Sequence, residues 1–127
     1  MDHPRRSAAR LAASLDASLK AMRLDHADLF FLHSNLHADG FDYAHGNHNR
    51  DAFSTPLSVY VEEVAPASEA LKASGRIGAW GITGIGVPTV VLTALAHDPK
   101  PDVVQAIANL MDSPGALRRY AEAPQPR

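Results

Sequence analysis

His33 closes the run Ala27-Asp28-Leu29-Phe30-Phe31-Leu32-His33, in which unbroken apolar residues give way to an imidazole. Imidazole is the side chain best suited to give or take a proton near neutral pH. The same position also suits a histidine that only bonds to backbone. Gln105 stands alone among apolar residues in Val103-Val104-Gln105-Ala106-Ile107-Ala108. The two-residue period of a strand puts it on the face of Val103 and Ile107. An amide enclosed there is held by a ligand or by neighbouring backbone, or it costs roughly 1–3 kcal/mol. His33, His37, His45 and His48, with Asp39, Asp42 and Asp51, form a rival set that could gather a zinc ion. Spacing of this kind in a glycine-containing loop is weakly specific, and a plain polar loop is the preferred reading. Gly84-Ile85-Gly86 lacks the third glycine of a dinucleotide loop, so it reads as a tight strand-to-helix turn.

The elements that must carry these residues alternate. A helix is expected over about Pro4–Met22, with Pro4 in its first turn. Ala8, Leu11, Ala12, Leu15, Leu19 and Met22 form its apolar stripe. The strand Ala27–His33 follows. Its apolar run is too short for a typical helix, and it reads as buried on both faces in a parallel sheet. Residues 34–56 are turn-rich and read as a long polar loop. A second helix is expected from Leu57 or Val59 to Ser74, with Val61, Val64, Ala65, Ser68 and Leu71 inward. Pro66 either kinks it or fixes the start of its regular part near Ala65. Gly75 stops it. Ile77–Ile82 is the second strand, Pro88–Ala96 the third helix, Val103–Ala108 the third strand and Ala116–Ala121 a short helix. Trp80 is expected to pack under a helix. This order is that of an α/β fold with a parallel sheet and right-handed crossovers. In such sheets chemistry gathers at the C-terminal strand ends, where His33 lies.

Composition narrows the function classes. The chain has 127 residues, a formal net charge of -2 and 46% hydrophobic residues. One modest domain with a real core is expected. The mixed charge gives no electrostatic case for nucleic acid or an anionic membrane. With no cysteine there is no disulfide framework and no thiolate metal site, which suits a cytoplasmic protein. A secretory signal is not expected from the first residues.

Three blocks carry a family resemblance. Ser18-Leu19-Lys20 through Leu24-Asp25 and Asp28-Leu29-Phe30-Phe31-Leu32-His33 resembles the aldo-keto reductase pattern of a helix entering the fourth barrel strand. Glu63, Ala70-Leu71, Gly75-Arg76-Ile77 and Gly81-Ile82-Thr83 are similar to its fourth helix and fifth strand. Val103-Val104-Gln105 and Ala108-Asn109-Leu110 are similar to its sixth strand. The resemblance covers about residues 10 to 115. It implies a partial (β/α)8 TIM barrel with about three parallel strands, and a parent activity of NAD(P)H-dependent reduction of aldehydes and ketones. A full barrel needs about 250 residues. By this resemblance the segment runs from the third helix to the sixth strand, as one incomplete domain over residues 1–127.

Of the family's Asp, Tyr, Lys and His tetrad, the resemblance implies only the histidine here, as His33, orienting a substrate carbonyl. Tyr43, Tyr60 and Tyr120 do not occupy the block of the acid. Thr83, Gln105 and Asn109 are implied as cofactor contacts, of NADP or NAD, the first two with the nicotinamide carboxamide. Gly84 stands where the family has an asparagine and offers no side chain. Asn109 also reads as a turn-forming residue. The segment alone is expected to be inactive. The alternative is a truncated, non-catalytic protein that self-associates through open sheet edges.

Overall fold

The computed structural model describes residues 4–42, 53–107 and 116–122. Helix α1 (Pro4–Met22) buries Leu15 and Leu19. Met22 and Ala8, both expected on that stripe, are exposed, and the chain leaves the helix through Arg23 at φ 57. Strand β1 (Ala27–Leu32) follows, ending one residue before His33.

The expected loop over 34–56 has structure at both ends. Strand β2 (Asn35–His37) and strand β3 (Ser54–Pro56) pair in parallel, with Leu36 and His37 buried. Short polar segments carry too little apolar alternation to announce a strand. Their pairing depends on partners far along the chain.

Helix α2 spans 57–73 in three parts: α-helical Leu57–Val59, a π segment Tyr60–Val64, and α-helical Ala65–Ala73. The Ala65 N–H reaches back to the Tyr60 carbonyl, five residues earlier. Proline has no N–H to donate and its ring crowds the carbonyl four residues before it. The widened turn absorbs that mismatch, and Pro66 sits in the first turn of the regular part. Gly75 ends α2 at φ 78, a left-handed conformation that glycine adopts without penalty.

Strand β4 (Ile77–Thr83), helix α3 (Pro88–Ala96), strand β5 (Val103–Gln105) and helix α4 (Ala116–Glu122) complete the order. The main sheet runs β1-β4-β5, parallel throughout. It is open, a partial α/β barrel that does not close.

One face of the sheet is covered. Phe30, Leu32, Trp80 and Ile82 pack against Leu15 and Leu19 of α1, Tyr60, Val64 and Ala65 of α2, and Val90, Val91 and Ala94 of α3. Each fully buried large side chain contributes about 1.5–3 kcal/mol. The other face is not covered as the apolar run of β1 suggested: Leu29 is 41% and Val103 38% exposed. In a closed barrel that face is the interior, so a sequence apolar on both sides is compatible with a strand covered on one. Phe31 lies across Gly81, where an added Cβ would stand 2.6 Å from its ring.

Candidate active site

The parallel ladder determines which side chains meet at the C-terminal strand ends. Leu32 pairs with Ile82 and Thr83 with Gln105. Continued by one residue, the register sets His33 beside Thr83. The three residues form a row across the C-terminal strand ends, spanning two strand spacings, about 10 Å. The row joins positions that lie far apart in the sequence.

Each member has a different environment. His33 is exposed, and its ring has no hydrogen-bond partner among the described residues. Thr83 is 2% exposed. Its hydroxyl lies 3.2 Å from the Leu32 carbonyl and 3.3 Å from that of Ser34, sharing its proton between them. Towards any ligand it has only acceptor capacity left. Gln105 is exposed, not enclosed as an amide on an apolar strand was expected to be. It ends an edge strand on the uncovered face, so water meets its hydrogen-bonding needs. Its backbone carbonyl accepts from the Gly84 N–H at 2.7 Å. Asn109 lies outside the described residues.

The strand end around His33 is tied from two sides. Besides the Thr83 bonds, the Ser34 hydroxyl meets that of Thr55 at 2.7 Å, joining β1's exit to β3. Nothing in the sequence marked Ser34 or Thr55, because a hydroxyl pair across 21 residues has no local pattern. An isolated bridge between Leu36 and Gly86 ties β2 to the turn before α3.

Gly84 has a packing role. A Cβ there would lie 2.9 Å from the Tyr120 ring. The Tyr120 hydroxyl donates to the Gly84 carbonyl at 3.1 Å. The missing side chain leaves room for Tyr120, which docks α4 onto the end of β4.

The remaining candidates are structural or lie elsewhere. Trp80 is buried as expected, and its indole N–H donates to Glu69 at 2.6 Å. Tyr60 lies in the core, tilted against Trp80 with ring centroids 6.5 Å apart. His37 is buried, with Nδ1 2.9 Å from the Ala38 carbonyl. Among the described residues no three His, Asp or Glu side chains gather as a metal site. Tyr43, His45, His48 and Asp51 lie outside the described residues.

The family model described as the Aldo/keto reductase family matches residues 1–124. The chain belongs to the aldo/keto reductase family. This membership supports an oxidoreductase-like segment and the partial barrel. No curated protein matches this aldo/keto reductase chain. Among its described residues, no helix is long and apolar enough to cross a membrane.

Proposed function

We propose that this aldo/keto reductase chain is the His33-bearing segment of an NAD(P)H-dependent enzyme that reduces a small aldehyde or ketone. The observation that carries the reading is the row His33, Thr83 and Gln105 at neighbouring C-terminal strand ends. The nicotinamide, when bound, supplies the hydride. The fit on this chain is at Gln105, whose exposed amide has both a donor and acceptors to match a carboxamide. Thr83 can add only a lone pair to that contact. Asn109 is the remaining cofactor contact that we propose by resemblance. His33 directs an imidazole N–H at the substrate carbonyl oxygen, fixing its orientation. A cytoplasmic location goes with this reading.

The chain alone does not turn over, because the Asp, Tyr and Lys of the family's set have no counterparts at matching positions in it. The test is twofold. Purified chain is titrated with NADPH and with NADH, following Trp80 fluorescence and the Gln105 side-chain amide signal. It is then assayed with a panel of aldehydes and ketones. Cofactor-induced movement of the Gln105 signal without turnover is expected. Carbonyl-dependent NADPH oxidation overturns the inactivity, and an unmoved Gln105 signal at saturating NADPH and NADH overturns the cofactor role.

A second reading rests on the two open edges. Among the described residues β1 and β5 each pair on one side only. Leu29, Val103 and Ile107 are exposed beside them. Unpaired edges and apolar surface favour association with a second copy. In this reading the chain is a non-catalytic, self-associating protein.

A further inference from the structure

We propose that Thr83 is the positioning residue for His33: through its hydroxyl it holds both backbone carbonyls that flank the histidine, and so sets the direction of the imidazole. The functional meaning rests on His33 acting as proposed above; the geometry does not.

Three observations carry it. The His33 ring is exposed and has no hydrogen-bond partner of its own among the described residues. With no partner on the ring, its Cα–Cβ direction and the χ1 wells open to it are set by the backbone on either side. That backbone lies just beyond the last ladder pair of β1, Leu32 with Ile82. A single hydroxyl reaches the carbonyls of Leu32 and Ser34, before and after His33. Thr83 can do this because it is buried at the end of the adjacent parallel strand and because a β-branched side chain has few χ1 choices. The hydroxyl has one proton, and a three-centre bond to two carbonyls uses it fully. The Ser34–Thr55 hydroxyl pair restrains the following residue from the other side.

A valine at this position keeps the shape and the β-branch but has no proton to share. The flanking carbonyls then lose their common donor and the residue between them gains freedom. A serine retains the donor. Bulk filling alone predicts the opposite order, with Thr83→Val close to wild type and Thr83→Ser worse.

The test is NMR of the 127-residue chain, reading the three-bond couplings that report χ1 of His33 and its ring shifts. The His26 ring, bonded to the Gly75 carbonyl at the opposite end of the sheet, is the control. Expected are one χ1 well for His33 in wild type and Thr83→Ser, averaged couplings with moved ring signals in Thr83→Val, and no change at His26. Wild-type couplings at His33 in a folded Thr83→Val overturn the proposal. Should Thr83→Val not fold, the wild type decides: His33 averaged between wells overturns the proposal, and a single well that Thr83→Ser retains and Thr83→Ala loses supports it. No cofactor or carbonyl enters this measurement, so its failure and that of the reductase reading are separate results.

Discussion

Tyr60 carries a hydroxyl into the core with no hydrogen-bond partner among the described residues. Burial pushes its ionisation well above the ordinary phenol range, so it stays protonated where exposed tyrosines ionise. A buried donor left unmade costs about 1–3 kcal/mol, whereas the ring itself is well packed. Tyr60→Phe should therefore leave urea-unfolding stability unchanged or raise it by about 1 kcal/mol. A loss larger than that would reveal a partner for the hydroxyl. Gly84 makes the converse case. Gly84→Asn supplies the family's side chain but drives its Cβ into the Tyr120 ring. A cost of about 1–3 kcal/mol is expected, as for overpacking elsewhere. Tyr120→Ala should reduce that cost in a double-mutant cycle, and additive effects would show that the ring is not the obstacle. At this scale residue types were legible: a strand-end histidine, a lone amide, a glycine where a side chain was expected. Their partners were not. The Thr83 proton goes to carbonyls about fifty residues away, and backbone acceptors leave no trace in a sequence.

Among the elements, α2, β4 and the approach to β5 meet at Asp102. Its carboxylate accepts from Lys72 at 2.7 and 2.9 Å and from the Trp80 N–H at 3.1 Å. Burial alone would raise its pKa. The Lys72 hydrogen bond, the Trp80 N–H and the Lys72 charge together outweigh that and hold it below the ordinary carboxylate range. The Lys72 ammonium is held above its ordinary range, chiefly by the same hydrogen bond. Because the folded-state pKa of Asp102 is lowered, its contribution is present above the unfolded value, near 4, and disappears as pH falls through the folded one. Asp102→Asn should narrow the stability difference from wild type progressively below about pH 4. Unfolding midpoints that stay equally separated down to pH 2 would contradict the linkage. Both side chains are about one-third exposed, so added salt should weaken the pair. The periodic elements were readable because apolar spacing reports them directly. The π segment was not, although Pro66 marked its place: the sequence offered a kink or a late start, and the structure resolves the conflict with a wider turn.

For the whole molecule, the decisive feature is the sheet that does not close. Its helix-covered face holds the core, while Leu29, Val103 and Ile107 (48% exposed) face outward near two edges that are unpaired among the described residues. Self-association should therefore rise with protein concentration in size-exclusion chromatography with light scattering. A monomer at every concentration up to the millimolar range would count against the self-associating reading. Replacing Leu29 with Lys, at an edge position where a charge blocks pairing, should shift the population towards monomer without touching the helix-side core. The α/β order was legible from alternating apolar runs. Which face of those runs is covered was not, since a barrel interior and a helix-covered face draw on the same residue types.

The pairing of β1 with β4 has a further consequence during synthesis. Each paired residue of β1 meets a partner 50 positions further on, from Ala27 with Ile77 to Leu32 with Ile82. As the chain leaves the ribosome, at roughly 5–20 residues per second, Leu29-Phe30-Phe31-Leu32 emerges seconds before the strand that covers one of its edges. Until then it is a short β-prone apolar segment open to any other strand. Asp25, His26 and Asp28 just ahead of it, all exposed in the folded chain, place polar and charged groups where a stray strand would dock. The nascent chain's most vulnerable moment thus precedes the assembly of the row to which His33 belongs.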